Sequence, residues 1–263
     1  MIPENSKIVA VVSGKGGVGK STVAVNLALS LVKSGLKVAL VDCDFYGPSI
    51  PTLLGAAQIQ VDHEERLIPP EKHGLKFISI GFFLPNPDEA VIWRGPMFHT
   101  AMKQMFNDVN WGAVDYFIID MPPGTGDAQI SLTQNYPLAG ALVVTTPQEV
   151  ALADVRKAIN MLGKVNVPII GIVENMAGFI APDGTRHDIF GTGGGAEVAK
   201  KYNLPLLASI PLDPTIREGG DSASPVSLND IHPVTAIFKE LAEQVTSRVS
   251  ELSAEKPQLT VVN

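Results

Sequence analysis

The sequence predicts an α/β fold, a doubly wound, mostly parallel sheet flanked by helices. Three observations predict it: short β-branched runs that are apolar throughout instead of alternating, helical stretches between them, and a glycine-rich turn directly after the first run. Strands apolar on both sides suit a sheet covered on both faces.

Taken in order, Lys7–Ser13 is the first strand, and residues 21–33 follow as a helix, apolar at Val23, Leu27 and Leu31. Residues 36–41 are the second strand. Residues 55–75 then interrupt the alternation: 58–61 and 66–68 flank Asp62-His63-Glu64-Glu65, which suits a small hairpin or a solvated loop, with the hairpin favoured. Further strands are expected at 76–81, 115–120, Gly140–Thr145, 168–174 and 205–210, with helices at 150–162 and 195–201. The clearest helix is 233–252, with Pro233 in its first turn and Val234, Ile237, Phe238, Leu241, Val245 and Val249 at helical spacing. From Ser253 onward the chain is polar, contains Pro257 and reads as a flexible tail, so 1–252 form a single domain.

The chain has 263 residues, 45% of them apolar, enough for one large domain. A net charge of −7 gives no general attraction to nucleic acid or anionic lipid. The first residues lack the basic and apolar parts of a signal peptide, and no apolar run reaches the ~20 residues a membrane helix needs. The expectation is a cytoplasmic protein with neither nucleic acid nor membrane as partner. Cys43 is the single cysteine, which excludes an intramolecular disulfide and any Cys-x-x-Cys pair.

The glycine-rich turn reads Gly14-Lys15-Gly16-Gly17-Val18-Gly19-Lys20-Ser21-Thr22. The pattern Gly-x4-Gly-Lys-Ser between a strand and a helix is a phosphate loop. Its backbone N–H groups wrap the β-phosphate of a nucleotide such as ATP, Lys20 reaches the β/γ oxygens, and Ser21 ligates Mg²⁺. The same residues satisfy the dinucleotide pattern Gly-x-Gly-x-x-Gly, with Asp42 ending the next strand where a ribose-binding acid would stand. Lys20 and Ser21 decide for the phosphate loop, because a dinucleotide site has no use for a buried ammonium and a metal-binding hydroxyl there.

Such a site needs a second acid for its metal, and Tyr116-Phe117-Ile118-Ile119-Asp120 supplies Asp120 at the end of an apolar strand. Gly124 follows as a candidate sensor of the γ-phosphate. Asp42 and Asp44 flank Cys43 after the second strand, with Asp42 assigned to the metal and Asp44 to orienting the attacking water. The alternative is turn chemistry before Gly47-Pro48. His63, His73, His99, His187 and His232 are too scattered for a metal site, and Gly191-x-Gly193-Gly194-Gly195 is a helix start that could bind an anion.

Lys15, the second lysine of the loop, resembles the signature lysine of the deviant Walker A ATPases, which include MinD, ParA, ArsA and nitrogenase iron protein. Within that class the chain resembles the Mrp/ApbC family of iron–sulfur cluster carriers. The likeness covers roughly residues 7–245 through Asp42-Cys43-Asp44-Phe45-Tyr46-Gly47-Pro48, Trp93-Arg94-Gly95-Pro96-Met97, Asp120-Met121-Pro122-Pro123-Gly124-Thr125-Gly126-Asp127, Glu174-Asn175-Met176, and Ile210-Pro211-Leu212-Asp213 leading to Arg217-Glu218-Gly219-Gly220-Asp221. It implies an ATP-dependent homodimer in which Lys15 reaches the partner's nucleotide and acts in catalysis with Lys20 and Asp44. It also implies that Asn175, Pro211 and Asp213 lie near the adenine, and that iron–sulfur assembly proteins or apo-protein clients are partners. The cysteine pair that carries the cluster in this family should fall between Met176 and Ile189, where this sequence has none, so a role there would need ligands from a partner or client, ligation by Asp183 or His187, or a purely nucleotide-driven accessory function. With the first strand at Lys7, the separate domain that often precedes the phosphate loop is not expected. The alternative is a MinD/ParA-type dimerisation switch. A MinD-like anchor would be a basic amphipathic terminal helix, whereas this chain closes on Gln258-Leu259-Thr260-Val261-Val262-Asn263.

Overall fold

The computed structural model describes residues 2–55, 57–83 and 95–255. The first half comprises β1 (Lys7–Ser13), α1 (Lys20–Lys33), β2 (Val38–Asp42), α2 (Ile50–Leu54), β3 (Gln60–Val61), β4 (Leu67–Ile68), β5 (Glu71–Lys72), β6 (Leu75–Ser79), a 3-10 turn (Ile80–Phe83), α3 (Gly95–Asn107) and β7 (Tyr116–Asp120). The second comprises α4 (Asp127–Asn135), β8 (Gly140–Thr145), α5 (Glu149–Lys164), β9 (Ile169–Asn175), β10 (Phe179–Ile180), β11 (Arg186–His187), α6 (Gly194–Tyr202), β12 (Leu206–Ile210), α7 (Pro214–Asp221), a 3-10 turn (Val226–Leu228) and α8 (Pro233–Glu255).

Eight strands form one sheet in the order β12-β9-β8-β1-β7-β2-β6-β5. The pairs are parallel except for β5 with β6. Residues of β2, β7 and β8 are buried throughout, as apolar runs covered on both faces require. Two apolar cores result. One face packs Met105, Phe106, Val155 and Ile159 of α3 and α5, and the other packs Val23 and Leu27 of α1 against Phe238 and Leu241 of α8. The doubly wound fold expected from sequence is the fold observed.

The small hairpin forms: β3 and β4 pair antiparallel across the Asp62–Arg66 turn. Four helices, α2, α3, α4 and α7, strand β5 and the antiparallel pair β10–β11 were not expected. The last helix runs through Ser253 to Glu255, past the expected boundary at 252, because Ala254 and Glu255 favour helix. Residues 256–263, and Trp93 and Arg94 of the family-like string, lie outside the described residues.

Candidate functional site

Strand β1 delivers the chain into the glycine-rich turn at the carboxyl edge of the sheet, and α1 begins at Lys20. The first-turn N–H groups of α1 therefore face the loop, and its dipole favours negative charge there. Gly19, the N-cap, is left-handed at φ 84°. Gly14 passes so close to the backbone of Asp154 and Val155 in α5 that a Cβ has no room. Ser13 Oγ donates to the Lys15 carbonyl at 2.9 Å, and Asn175 Nδ2 donates to the Val18 carbonyl at 2.9 Å, so the loop is held from both sides. A cavity of about 320 Å³ opens over it, lined by Lys15, Gly16, Gly17, Ser21, Thr22 and Asp44 among others.

Parallel pairing of β2 and β7 in the register Asp42↔Asp120 brings both acids to this edge. Lys20 is buried, with Nζ 2.7 Å from Asp120 Oδ1, 3.4 Å from Asp44 Oδ2 and 3.3 Å from Ser21 Oγ. Burial works against its charge, but Asp120, and then Asp44 and Asp42, outweigh it and hold the ammonium above its ordinary value. Burial pushes the Asp120 carboxyl up against the Lys20 charge, and burial with the Asp120 charge pushes Asp42 up to about 7. One ammonium among three carboxylates leaves surplus negative charge.

Asp120 Oδ2 is buried without a hydrogen-bond partner among the described residues. An orphaned carboxylate oxygen near the Ser21 hydroxyl suits a hard, oxygen-seeking divalent cation such as Mg²⁺, which also relieves the charge surplus. Asp42 differs. Its Oδ1 accepts from the Asp44 N–H at 3.1 Å, and its Oδ2 from the Ile50 N–H at 3.2 Å and the Ser79 hydroxyl at 2.8 Å. These contacts occupy the carboxylate that the dinucleotide reading would have turned to a ribose, and the same contacts engage the residue assigned to the metal.

Beyond the loop, a second cavity of about 240 Å³ is lined by Asn175, Met176, Pro211, Asp213, Ile216 and Arg217 among others, and shares Gly19, Thr22 and Leu53 with the first. The three residues expected near a base thus come together. Met176, Ile216 and Leu53 had not been singled out, although Met176 stood in a family-like string. Asp213 caps α7, accepting from the Thr215 N–H at 2.7 Å. Gly124 turns left-handed at φ 91° and its N–H donates to the Ser13 carbonyl at 3.0 Å, which ties the chain after β7 to the phosphate loop.

Other sequence candidates stay apart. Cys43 does not face the site between its acidic neighbours: extended backbone alternates sides, so its thiol enters the apolar core, fully buried, where burial and then Asp42 push it well above its ordinary range. At the α6 N-terminus one of the first-turn N–H groups is taken within the chain, the Gly195 N–H donating to Glu174 Oε1 at 2.7 Å. Asp183 and His187 are exposed around the β10–β11 turn. Among the described residues no three His, Cys, Asp or Glu side chains are grouped to hold a metal ion, and no helix is long and apolar enough to cross a membrane.

Comparison with known proteins agrees with this geometry. Residues 4–246 match the ParA family as its NUBPL iron-transfer P-loop NTPase. The iron–sulfur cluster carrier protein of Aquifex aeolicus is 50% identical over 259 residues, 95% of this chain and 71% of that protein. Its namesake from Escherichia coli K12 is 47% identical, over 92% of this chain and 66% of that one. A nucleotide-binding protein of Archaeoglobus fulgidus in complex with ADP superposes with a TM-score of 0.74 at 38% identity, covering 87% of this chain and 89% of its own. The cell division ATPase MinD of Pyrococcus furiosus superposes at 0.68 with 27% identity, covering 92% and 99%. With a phosphate loop, its paired acids and a family match along most of its length, the chain belongs to the NUBPL iron-transfer P-loop NTPase family.

Proposed function

We propose that this protein binds and hydrolyses ATP and serves as a carrier or assembly factor for iron–sulfur clusters, acting as a nucleotide-dependent homodimer in the cytoplasm. The observation that carries the hydrolytic part is the Lys20 ammonium held between Asp120 and Asp44 at the mouth of the glycine loop. The loop amides and Lys20 bind the β- and γ-phosphates, the second cavity takes the base beside Asn175, Pro211 and Asp213, and Asp44 orients the attacking water. Mg²⁺, held by Ser21 and Asp120, would supply charge neutralisation at the phosphates. Asp42 serves by holding the loop that carries Asp44.

The half-buried Lys15 has no ion pair among the described residues, which supports a role across the dimer on the partner's nucleotide. The identity of 46–50% to several cluster-carrier relatives, against 27% to MinD, favours cluster work over a spatial dimerisation switch. The cluster is cargo. Four thiolates usually hold a four-iron cluster, and a dimer of this chain offers two sequestered copies of Cys43. Ligands therefore come from an apo-protein client or another assembly protein, or from Asp183 and His187.

The test is phosphate release with Mg-ATP, light scattering with and without ATP, and anaerobic reconstitution with iron and sulfide on parent and Cys43→Ala. Expected are slow turnover lost in Lys20→Ala, dimers that need ATP, and iron uptake that is the same in both proteins. Parent-rate hydrolysis by Lys20→Ala overturns the site. A stoichiometric, chelator-resistant cluster lost only in Cys43→Ala overturns the assignment of the ligands.

A further inference from the structure

The loop at 43–49 brings Asp44 to Lys20, and it is fastened at both ends to one carboxylate. Asp42 accepts from the Asp44 N–H on one oxygen and from the Ile50 N–H on the other. That second oxygen also takes the Ser79 hydroxyl at 2.8 Å, delivered by the β2–β6 register that sets Asp42 opposite Ser79. Ser79 is fully buried, and its oxygen accepts in turn from the Gly81 N–H at 3.0 Å. A second contact backs the first: a Cβ added to Gly81 would stand 3.2 Å from Pro48 Cγ, so the turn Ile80–Phe83 is a wall against which the loop rests.

We propose that Ser79 is a positioning residue for ATP hydrolysis, acting through Asp42 and backed by the Gly81–Pro48 contact to fix the loop that carries Asp44. Neither Ser79 nor Gly81 lines the phosphate or the base cavity, so neither contributes to holding the nucleotide. What they set is where Asp44 stands when water attacks, and a displacement of about 1 Å at such a group costs up to ~10²-fold in rate. Deleting the hydroxyl frees the carboxylate to turn and the loop to drift. Adding a methyl at Gly81 crowds Pro48 from the other side and stands equally close, 3.2 Å, to the Ser79 hydroxyl, so it disturbs the same support while keeping the serine.

The inference rests on the ATP-hydrolysing reading above. The experiment measures kcat for Mg-ATP, the Kd for ADP and the thermal midpoint in the parent, Ser79→Ala and Gly81→Ala. Expected is a fall in kcat of about tenfold in each variant, the loss of one hydrogen bond's worth of transition-state placement, with ADP affinity within about twofold of the parent. Parent-level kcat in both, or a fall in kcat matched by an equal fall in ADP affinity, overturns the positioning role. If Ser79→Ala does not fold, Gly81→Ala decides by the same two readings. A parent that binds ADP but never releases phosphate from ATP is the separate failure, that of the hydrolytic reading itself.

Discussion

The side-chain amide of Asn175 donates to the Val18 carbonyl, and its nitrogen occupies the space that a Cβ on Gly19 would need. The end of β9 thereby fixes the left-handed turn from which α1 starts. Gly19→Ala must place a side chain at φ 84°, which costs about 1–2 kcal/mol, and also push Asn175 off Val18. ADP affinity measured by titration calorimetry is expected to fall at least about tenfold; affinity equal to the parent would mean that the loop does not depend on this contact.

Replacing Lys20 by methionine removes the cation from a buried cluster of carboxylates. Breaking a buried pair by deleting one partner costs about 3–5 kcal/mol, so Lys20→Met is expected to melt well below the parent as well as to lose hydrolysis. Adding Asp120→Asn should restore most of the melting temperature and none of the activity. A single variant as stable as the parent would contradict the charge balance described for the site.

Asn26 and Ser227 join α1 to the 3-10 turn that follows α7. The Ser227 N–H donates to Asn26 Oδ1 at 2.9 Å and its hydroxyl to the Asn26 carbonyl at 3.2 Å, both residues buried. Asn26→Ala strands that N–H, and denaturant unfolding should show a loss of about 1–3 kcal/mol with unchanged ADP affinity. A loss of affinity without loss of stability would place the residue in nucleotide binding instead.

The hairpin turn at Asp62 gives a pH dependence. The Arg66 N–H, the Glu64 N–H and then the Asn110 and Arg66 side chains hold the Asp62 carboxyl down to about 2, below its ordinary 3.8. A lowered folded value means support that is present above about pH 4 and disappears as pH falls through about 2. Amide exchange at Glu64 and Arg66, followed by NMR across that window, should accelerate beyond the ordinary pH trend in the parent and not in Asp62→Asn. Identical profiles would remove the carboxylate from the turn.

Much of the fold was legible because its strands are apolar on both faces and end in glycine, proline or an acid. β1 and β8 fall on the residues expected, and the other long strands shift by one or two. α4 was not legible, since Asp127–Asn135 offers only Ala128, Ile130 and Leu132 as apolar residues. In the site, the glycine-rich pattern and the acids that follow two apolar strands pointed to Lys20, Asp44 and Asp120, whose side chains the structure brings together. That pattern could not say which way each oxygen of Asp42 turns, because its partner Ser79 lies on another strand and carries no motif. For the same reason Cys43 reads as a neighbour of the site in sequence and lies in the core in space.

β1 stands fourth of eight strands, hydrogen-bonded to β8 on one side and β7 on the other. The glycine loop is thus anchored in the middle of the sheet, away from the edge strands where fraying starts. A nucleotide at a hundredfold its dissociation constant then adds about 2.7 kcal/mol to the unfolding of the whole chain and not to a local patch. Melting temperature becomes a gauge of site occupancy, and in a crowded cell full of ATP the loaded protein outlasts the empty one.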